Sequence, residues 1–322
     1  TFTSGATEAA NLVLTPDYRM GRAPLAVGRL YVSAIEHPAI REGGRFAKAD
    51  VVEVSVTAQG CLDLTALAER LDDHDTAAGL PMVALMLVNN ETGVIQPVAE
   101  AAKIVHAKGG LLVVDAVQAV GRIAVDMAAL DADFLILSSH KIGGPKGVGA
   151  LVSRGEVMMP RPLIHGGGQE KGHRSGTENF PGIVGFGAAA EVAIVERETA
   201  NARIGALRAR LESGMRQTAA DVIIHGFDVE RVANTSFFTL PGLKSETGQI
   251  AFDLEGIALS AGAACSSGKV GQSHVLAAMG CDPDMGALRM SLGPGTTDDD
   301  IDAALAAFAK IAGRRGAAGR AA

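Results

Sequence analysis

Short apolar, β-rich runs alternate along this chain with stretches of helical spacing, and that alternation leaves few folds open to it. The runs cover residues 30–35, 51–56, 82–88, 111–114, 134–137 and 149–153, and helical spacing fills residues 98–107 between the third and the fourth. Runs that stay apolar on both sides belong to a mostly parallel sheet covered on both faces, so the spacing predicts an α/β architecture. A length of 322 residues exceeds one ordinary domain of ~150 residues. The expected division is a large domain over 1–197 and a smaller α+β domain over 198–322, reached through one or two long Ala-, Arg- and Glu-rich helices spanning 182–218. Strand-like pieces at 222–224 and 235–239 and a helix over 299–312 fill the second part.

Composition removes several function classes. A net charge of −7, with basic residues gathered only near the end at Arg314, Arg315 and Arg320, argues against nucleic acid as a partner. The three cysteines, Cys61, Cys265 and Cys281, form no CxxC pair and leave an odd count, so neither a disulfide framework nor a metal site is expected, and a reducing, cytoplasmic compartment is. No apolar stretch reaches the ~20 residues of a membrane span, so no membrane partner is expected. The chain opens at Thr1 inside a motif, and upstream residues are expected to be missing.

In open α/β sheets ligands collect at the carboxyl ends of strands, and the polar clusters here sit at such ends. Thr3 to Glu8 opens a helix predicted over 9–14. Small residues and hydroxyls before a helix suit a phosphate, though capping alone explains the same letters. Asn89 to Gly93 and Asp115 to Gln118 follow two further strands. A carboxylate such as Asp115 just past a buried strand needs a cation or strong hydrogen bonds, unless it is an ordinary helix cap. Lys141 stands behind His140 after the next strand, where a desolvated amine suits covalent catalysis; Lys146 lies in a glycine-rich turn and reads as structural. Cys265 sits among small, flexible residues with little to pack against, which favours an accessible thiol over a core residue. Cys61 and Cys281 read as turn residues. Walker A, G-x-G-x-x-G and H-E-x-x-H patterns are absent. Together the clusters supply what pyridoxal 5'-phosphate needs: a lysine for its aldehyde, a carboxylate for its ring nitrogen, donors for its phosphate and a flat side chain over its ring.

With these residues in place, the chain resembles the cysteine desulfurases of the class V aminotransferase group, in the NifS/IscS-like branch. The matching stretches are TSGATEAANL (3–12), EHPAI (36–40), NNETGVIQP (89–97), DAVQAVGR (115–122), SSHKIGGPKGVGAL (138–151), GGGQEKGHRSGTEN (166–179), ACSSGKVGQSHVL (264–276) and LRMSLG (288–293). The resemblance implies fold type I of the pyridoxal-phosphate transferases. It assigns Lys141 to the cofactor aldehyde and to proton movement at the substrate Cα, Asp115 to the ring nitrogen, and Gln118 and Asn90 to the neighbourhood of the ring oxygen. His37 would stack on the ring and move protons, although an isolated histidine beside Pro38 would read as a packed loop residue. Ala6, Thr7, Ser138 and His140 would hold the phosphate, and Thr177 would reach the phosphate of the neighbouring subunit in a homodimer. Arg289 and Asn90 would bind substrate, the arginine clamping its carboxylate with a bidentate fork.

The reaction implied removes sulfur from L-cysteine, leaving L-alanine and a persulfide on Cys265. The sulfur then passes to an iron–sulfur scaffold or another acceptor such as a thiolation protein. Relatives usually carry several dozen residues before the TSGATE-like motif and often have an arginine where this chain has Pro294. The alternatives are a selenocysteine lyase or aminotransferase of the same fold, the latter having no need of Cys265, and a non-catalytic scaffold that binds partners without turnover.

Overall fold

The mid-chain runs form strands because nearly every residue in them can be buried at once, as only an interior strand allows. The protein, seen in a computed structural model, is described over residues 1–261, 272–282 and 285–318. Its elements run β1 (Phe2–Thr3), α1 (Ala6–Val13), β2 (Asp17–Met20), β3 (Ala23–Ser33), α2 (Pro38–Arg41), β4 (Val51–Val54), α3 (Leu64–Asp72), β5 (Leu80–Met86), α4 (Val98–Ala107), β6 (Leu111–Asp115), β7 (Phe134–Ser138), β8 (Gly149–Ser153) and β9 (Met158–Pro160). Then follow α5 (Phe180–Thr218), β10 (Ile223–Ile224), β11 (Thr235–Thr239), α6 (Ser245–Leu254), β12 (Ser260–Ala261), α7 (His274–Ala278), β13 (Leu288–Ser291) and α8 (Asp298–Ala318). The chain falls into two units: Thr1–Thr57 with Cys61–Asn89 and Gln96–Arg197, and Ala58–Gly60 with Asn90–Ile95 and the described residues from Glu198 onward. Asn90 therefore groups with the second unit.

The first unit is built on one mixed sheet with strand order β1-β8-β7-β6-β5-β3-β2-β9, and β4 also pairs with β3. Strands β4, β3, β5, β6 and β7 are parallel in their pairings, which brings their carboxyl ends to one edge. Strand β8 runs antiparallel to β7 and to β1, so Gly149, at the start of β8, is the register partner of both Ser138 and Thr3. This pairing puts the start of α1 at that same edge. Only glycine fits at 149, because a Cβ there would stand 2.6 Å from the carbonyl carbon of Gly5 and 2.8 Å from the carbonyl oxygen of Leu137. One core cluster joins Leu30, Val32, Met82, Val113, Phe134 and Ile136 to Ala9, Leu12 and Val13 of α1. Strand β9 ends the sheet beside β2, whose Tyr18 is buried and whose Met20 is half exposed.

At the start of β6 and β7, His106 from the last turn of α4 stands between two carboxylates. Its Nδ1 lies 2.9 Å from Asp131 Oδ2 and its Nε2 3.0 Å from Asp133 Oδ2, while Leu112 N–H donates to the same Asp133 oxygen at 2.8 Å. Arg154 pairs with the other oxygen of Asp131, a residue in the left-handed region at φ 52°.

The second unit holds an antiparallel sheet, β10-β11-β13-β12. Leu207, Leu211 and Met215 recur at helical spacing along α5 and enter a core with Phe238, Phe252 and Phe308. The ring of Phe238 meets the other two edge-on, at centroid distances of 6.5 and 5.9 Å. A buried ion pair, Arg231 forked onto Glu212 at 2.8 and 2.9 Å, sits in the same unit.

Burial alone would lower the His106 pKa, but hydrogen bonds and charge from Asp133 and Asp131 outweigh it and raise it above the ordinary value. The stability from this raised pKa is complete below the unfolded value of ~6.5 and lost as pH rises through the folded one. Urea midpoints between pH 6 and 9 should therefore show the parent's advantage over His106→Gln shrinking as pH rises; an advantage that grows would contradict the assignment.

Candidate active site

Two neighbouring parallel strands, β6 and β7, end in polar residues, Asp115 and Ser138, at one edge of the first unit. Asp115 closes β6, flanked in register by Met86 of β5 and Ile136 of β7. Its Oδ1 accepts the Val117 N–H at 2.9 Å, so the carboxylate closes a turn rather than capping a helix. Gln118 is half-buried in that turn, and its carbonyl accepts from Arg122. Lys141 follows β7 in a single 3-10 turn, Ser139–Ile142, ended by Gly143 in the left-handed conformation. Lys141 is half-buried, whereas Lys146 is exposed. Ser138 Oγ lies 2.9 Å from His140 Nδ1, and the buried Ser139 hydroxyl takes no hydrogen bond among the described residues.

The charges at this edge are not balanced by protein groups alone. Burial pushes the Asp115 carboxyl up to about 6, and the Val117 N–H and the Lys141 ammonium pull it back only in part. Behind it lies Glu36, fully buried, whose Oε1 accepts from the Met86 N–H at 2.8 Å. Burial drives its carboxyl well above the carboxylate range, and the negative charge of Asp115 raises it further. Next in sequence, His37 caps α2: its Nδ1 accepts the Ala39 N–H at 3.1 Å, which leaves the proton of the neutral ring on Nε2. A loop histidine merely packed beside Pro38 is thus replaced by one whose ring plane is fixed.

Helix α1 begins with Gly5 as N-cap and no side-chain cap. Neither hydroxyl of the opening motif caps it, since Thr3 Oγ1 donates instead to the Gly5 carbonyl at 2.9 Å. The first-turn N–H groups, Ala6 and exposed Thr7 among them, lie at the positive end of the helix, an arrangement that receives an anion. A pairing invisible in the sequence joins this turn to residues 166 positions away. Glu8 Oε2 accepts the Ser4 N–H at 2.8 Å, and Arg174 grips both oxygens of Glu8 at 2.9 and 3.3 Å. Thr177, three residues beyond Arg174, is exposed. These groups fit pyridoxal phosphate: a buried carboxylate short of a cation, a half-buried lysine near it, and a helix start open to a phosphate.

The second unit brings Asn90 and Arg289 together. Arg289 Nη1 donates to the Asn90 carbonyl at 2.5 Å and Nη2 to Ser260 Oγ at 3.3 Å. Asn90 Oδ1 and Arg289 Nε are buried and take no hydrogen bond among the described residues. Glu91, also buried, accepts from Ser273 Oγ; burial raises its carboxyl despite Ser273, His274 and Arg289. Cys265 lies outside the described residues. Cys281 is half-buried 4.0 Å from Nδ1 of His225, whose burial lowers its pKa to about 4.

The first unit's mixed, mostly parallel sheet, with Lys141 and the half-buried Asp115 at its carboxyl edge, has the fold of the type I pyridoxal-phosphate transferases. Residues 1–304 match the aminotransferase class-V family model, and the chain belongs to that family. It is 40% identical over 313 residues to a protein of Sinorhizobium fredii named cysteine desulfurase, covering 95% of this chain and 78% of the relative. An IscS-like cysteine desulfurase of Mycobacterium tuberculosis is 38% identical over 312 residues, with 94% and 78% covered. Among solved structures, a NifS-like protein from Rickettsia africae superposes with a TM-score of 0.84 at 35% identity, covering 97% of this chain and 81% of that one.

The raised Asp115 pKa destabilises the cofactor-free protein progressively as pH climbs from the unfolded value of ~3.9 towards the folded one. Asp115→Asn keeps the Val117 hydrogen bond and removes the charge. Cofactor-free Asp115→Asn should therefore unfold at higher temperature than the parent above pH 6, with the gain fading towards pH 4. A gain that grows on acidification would show that Asp115 is not the strained group.

Proposed function

We propose that this chain is a cysteine desulfurase that takes sulfur from L-cysteine, releases L-alanine and keeps the sulfur as a persulfide on Cys265. The observation that carries this reading is the convergence of Lys141, Asp115 and the open start of α1 at one sheet edge, in a chain 40% identical to a named cysteine desulfurase. When bound, pyridoxal phosphate supplies an electron sink for charge that develops at the substrate Cα.

In this reading Lys141 holds the cofactor aldehyde carbon and carries a proton to or from the substrate Cα. Asp115 would hold the ring nitrogen, whose proton would supply the cation its half-buried carboxylate calls for. His37, its Nδ1 engaged by the Ala39 N–H, would stack on the cofactor ring and offer Nε2 for proton movement. Gln118 and Asn90 would hydrogen-bond near the ring oxygen, and Ala6, Thr7, Ser138 and His140 would hold the phosphate. Arg289 and Asn90 receive the substrate; the orphaned Nε of the arginine supports a carboxylate as its partner.

The Cys265 thiolate bonds the substrate sulfur while the Cβ–S bond breaks with its electron pair going to carbon, and protonation there completes alanine. The persulfide sulfur then passes to an iron–sulfur scaffold or another sulfur-acceptor protein. A homodimer, in which Thr177 reaches the phosphate of the neighbouring subunit, is supported by the apolar face of the first half of α5, where Phe180, Val184 and Val195 are exposed. An odd number of cysteines with no CxxC pair suits the reducing cytoplasm. None of the described helices is long and apolar enough to cross a membrane.

Protein loaded with pyridoxal phosphate and given L-cysteine with a thiol reductant should release alanine. Cys265→Ser should lower that release by roughly 100-fold while leaving the cofactor absorbance band in place. No alanine from the loaded parent, or parental release from Cys265→Ser, would refute the reading.

A further inference from the structure

The phosphate assigned above to the start of α1 meets an electrostatic difficulty within the chain itself. Glu8 is in the first turn of that helix, so its carboxylate occupies the region where an incoming dianion gains from the helix dipole. Its geometry is nonetheless useful: by accepting the Ser4 N–H at 2.8 Å it fixes the approach of the chain to Gly5 and keeps the first turn open. What remains is the charge. Arg174 covers it with a side-on fork, Nε to Oε1 at 2.9 Å and Nη2 to Oε2 at 3.3 Å, and both side chains are largely withdrawn from water, Glu8 to 11% exposure and Arg174 to 23%.

Arg174 is also tied to its own loop. Its Nη1 donates to the Ser175 carbonyl at 3.4 Å, Ser175 Oγ donates to the Gly167 carbonyl at 2.7 Å, and the Gly176 N–H donates to Gln169 Oε1 at 3.2 Å. A cavity of about 180 Å³ has Thr3, Ser4, Arg174, Gly176 and Thr177 in its wall, so the fork spans the two segments that border it.

We propose that Glu8 and Arg174 are a positioning pair for the cofactor phosphate: Glu8 shapes the first turn of α1 through Ser4, and Arg174 cancels the charge that this shaping would otherwise turn against the phosphate. The same fork fixes the loop carrying Thr177. This role rests on the pyridoxal-phosphate reading above and adds two residues that touch neither cofactor nor substrate.

The test is a double-mutant cycle read as pyridoxal-phosphate affinity, from the absorbance of the bound cofactor, with thermal unfolding of each cofactor-free variant alongside. Arg174→Gln leaves a buried carboxylate uncompensated and should weaken cofactor binding on the order of tenfold. Glu8→Gln can still accept from Ser4, and should bind within about twofold of the parent. The decisive variant is the double, Glu8→Gln with Arg174→Gln, which should bind more tightly than Arg174→Gln alone, because the offending charge is gone. A merely structural fork would make the two losses add or leave the double no better than the single. That result, or unchanged affinity in Arg174→Gln, overturns the proposal. Should Arg174→Gln fail to fold, a loss in Glu8→Gln alone as large as tenfold overturns it equally. If the parent itself forms no cofactor band, the pyridoxal-phosphate reading fails and the role of the pair fails with it.

Discussion

A carboxylate at the carboxyl end of a buried parallel strand costs free energy for as long as no cation meets it, and the first unit is arranged around such a group, Asp115. Its neighbours make the situation harsher. Strands β5 and β7 flank it on both sides, the buried Glu36 accepts from the Met86 N–H of β5, and the Val117 N–H and the Lys141 charge offset only part of the burial. Folded proteins keep such a residue where a bound charge completes it, and a ring nitrogen that carries a proton only when a carboxylate faces it is the natural complement.

The other features of that edge bring further polar groups to the same place, as the proposed cofactor would require. Parallel strands deliver Lys141 beside Asp115, and the antiparallel turn into β8 lays Gly149 against both Ser138 and Thr3, so α1 can start close by. Each arrangement depends on backbone pairing rather than on long flexible side chains, which keeps lysine, carboxylate and helix start in fixed register. The second unit applies similar economy to Arg289, held by the Asn90 carbonyl and by Ser260, with one buried nitrogen that takes no hydrogen bond among the described residues.

Much of this was legible in the residues before any coordinate, for definable reasons. Strands β5 to β7 are buried on both faces and announce themselves as unbroken apolar runs, and β8, with Val152 exposed, falls on the residues expected, 149–153. The long helix predicted over 182–218 begins two residues earlier, at Phe180, and α8 also extends beyond its predicted span at both ends. Strands β1, β2, β9 and β12 escaped notice because each is four residues long or shorter, too short to show a period, and pairing alone makes them strands. In the site, Lys141, Asp115 and His37 could be picked out by motif and position, yet the part of His37 in capping α2 depends on a backbone N–H that no pattern of letters reveals. Glu8, Glu36 and Glu91 look like surface glutamates until folding buries them, and a contact between residues 8 and 174 has no signature in spacing.

Which side chain receives the cofactor is the central question for this site. Borohydride reduction of the protein incubated with pyridoxal phosphate, followed by peptide mass mapping, reads this directly. A pyridoxyl group on Lys141, with Lys146 unmodified, is the predicted result; modification of Lys146 or another lysine in its place, or none at all, would contradict the site described for this chain.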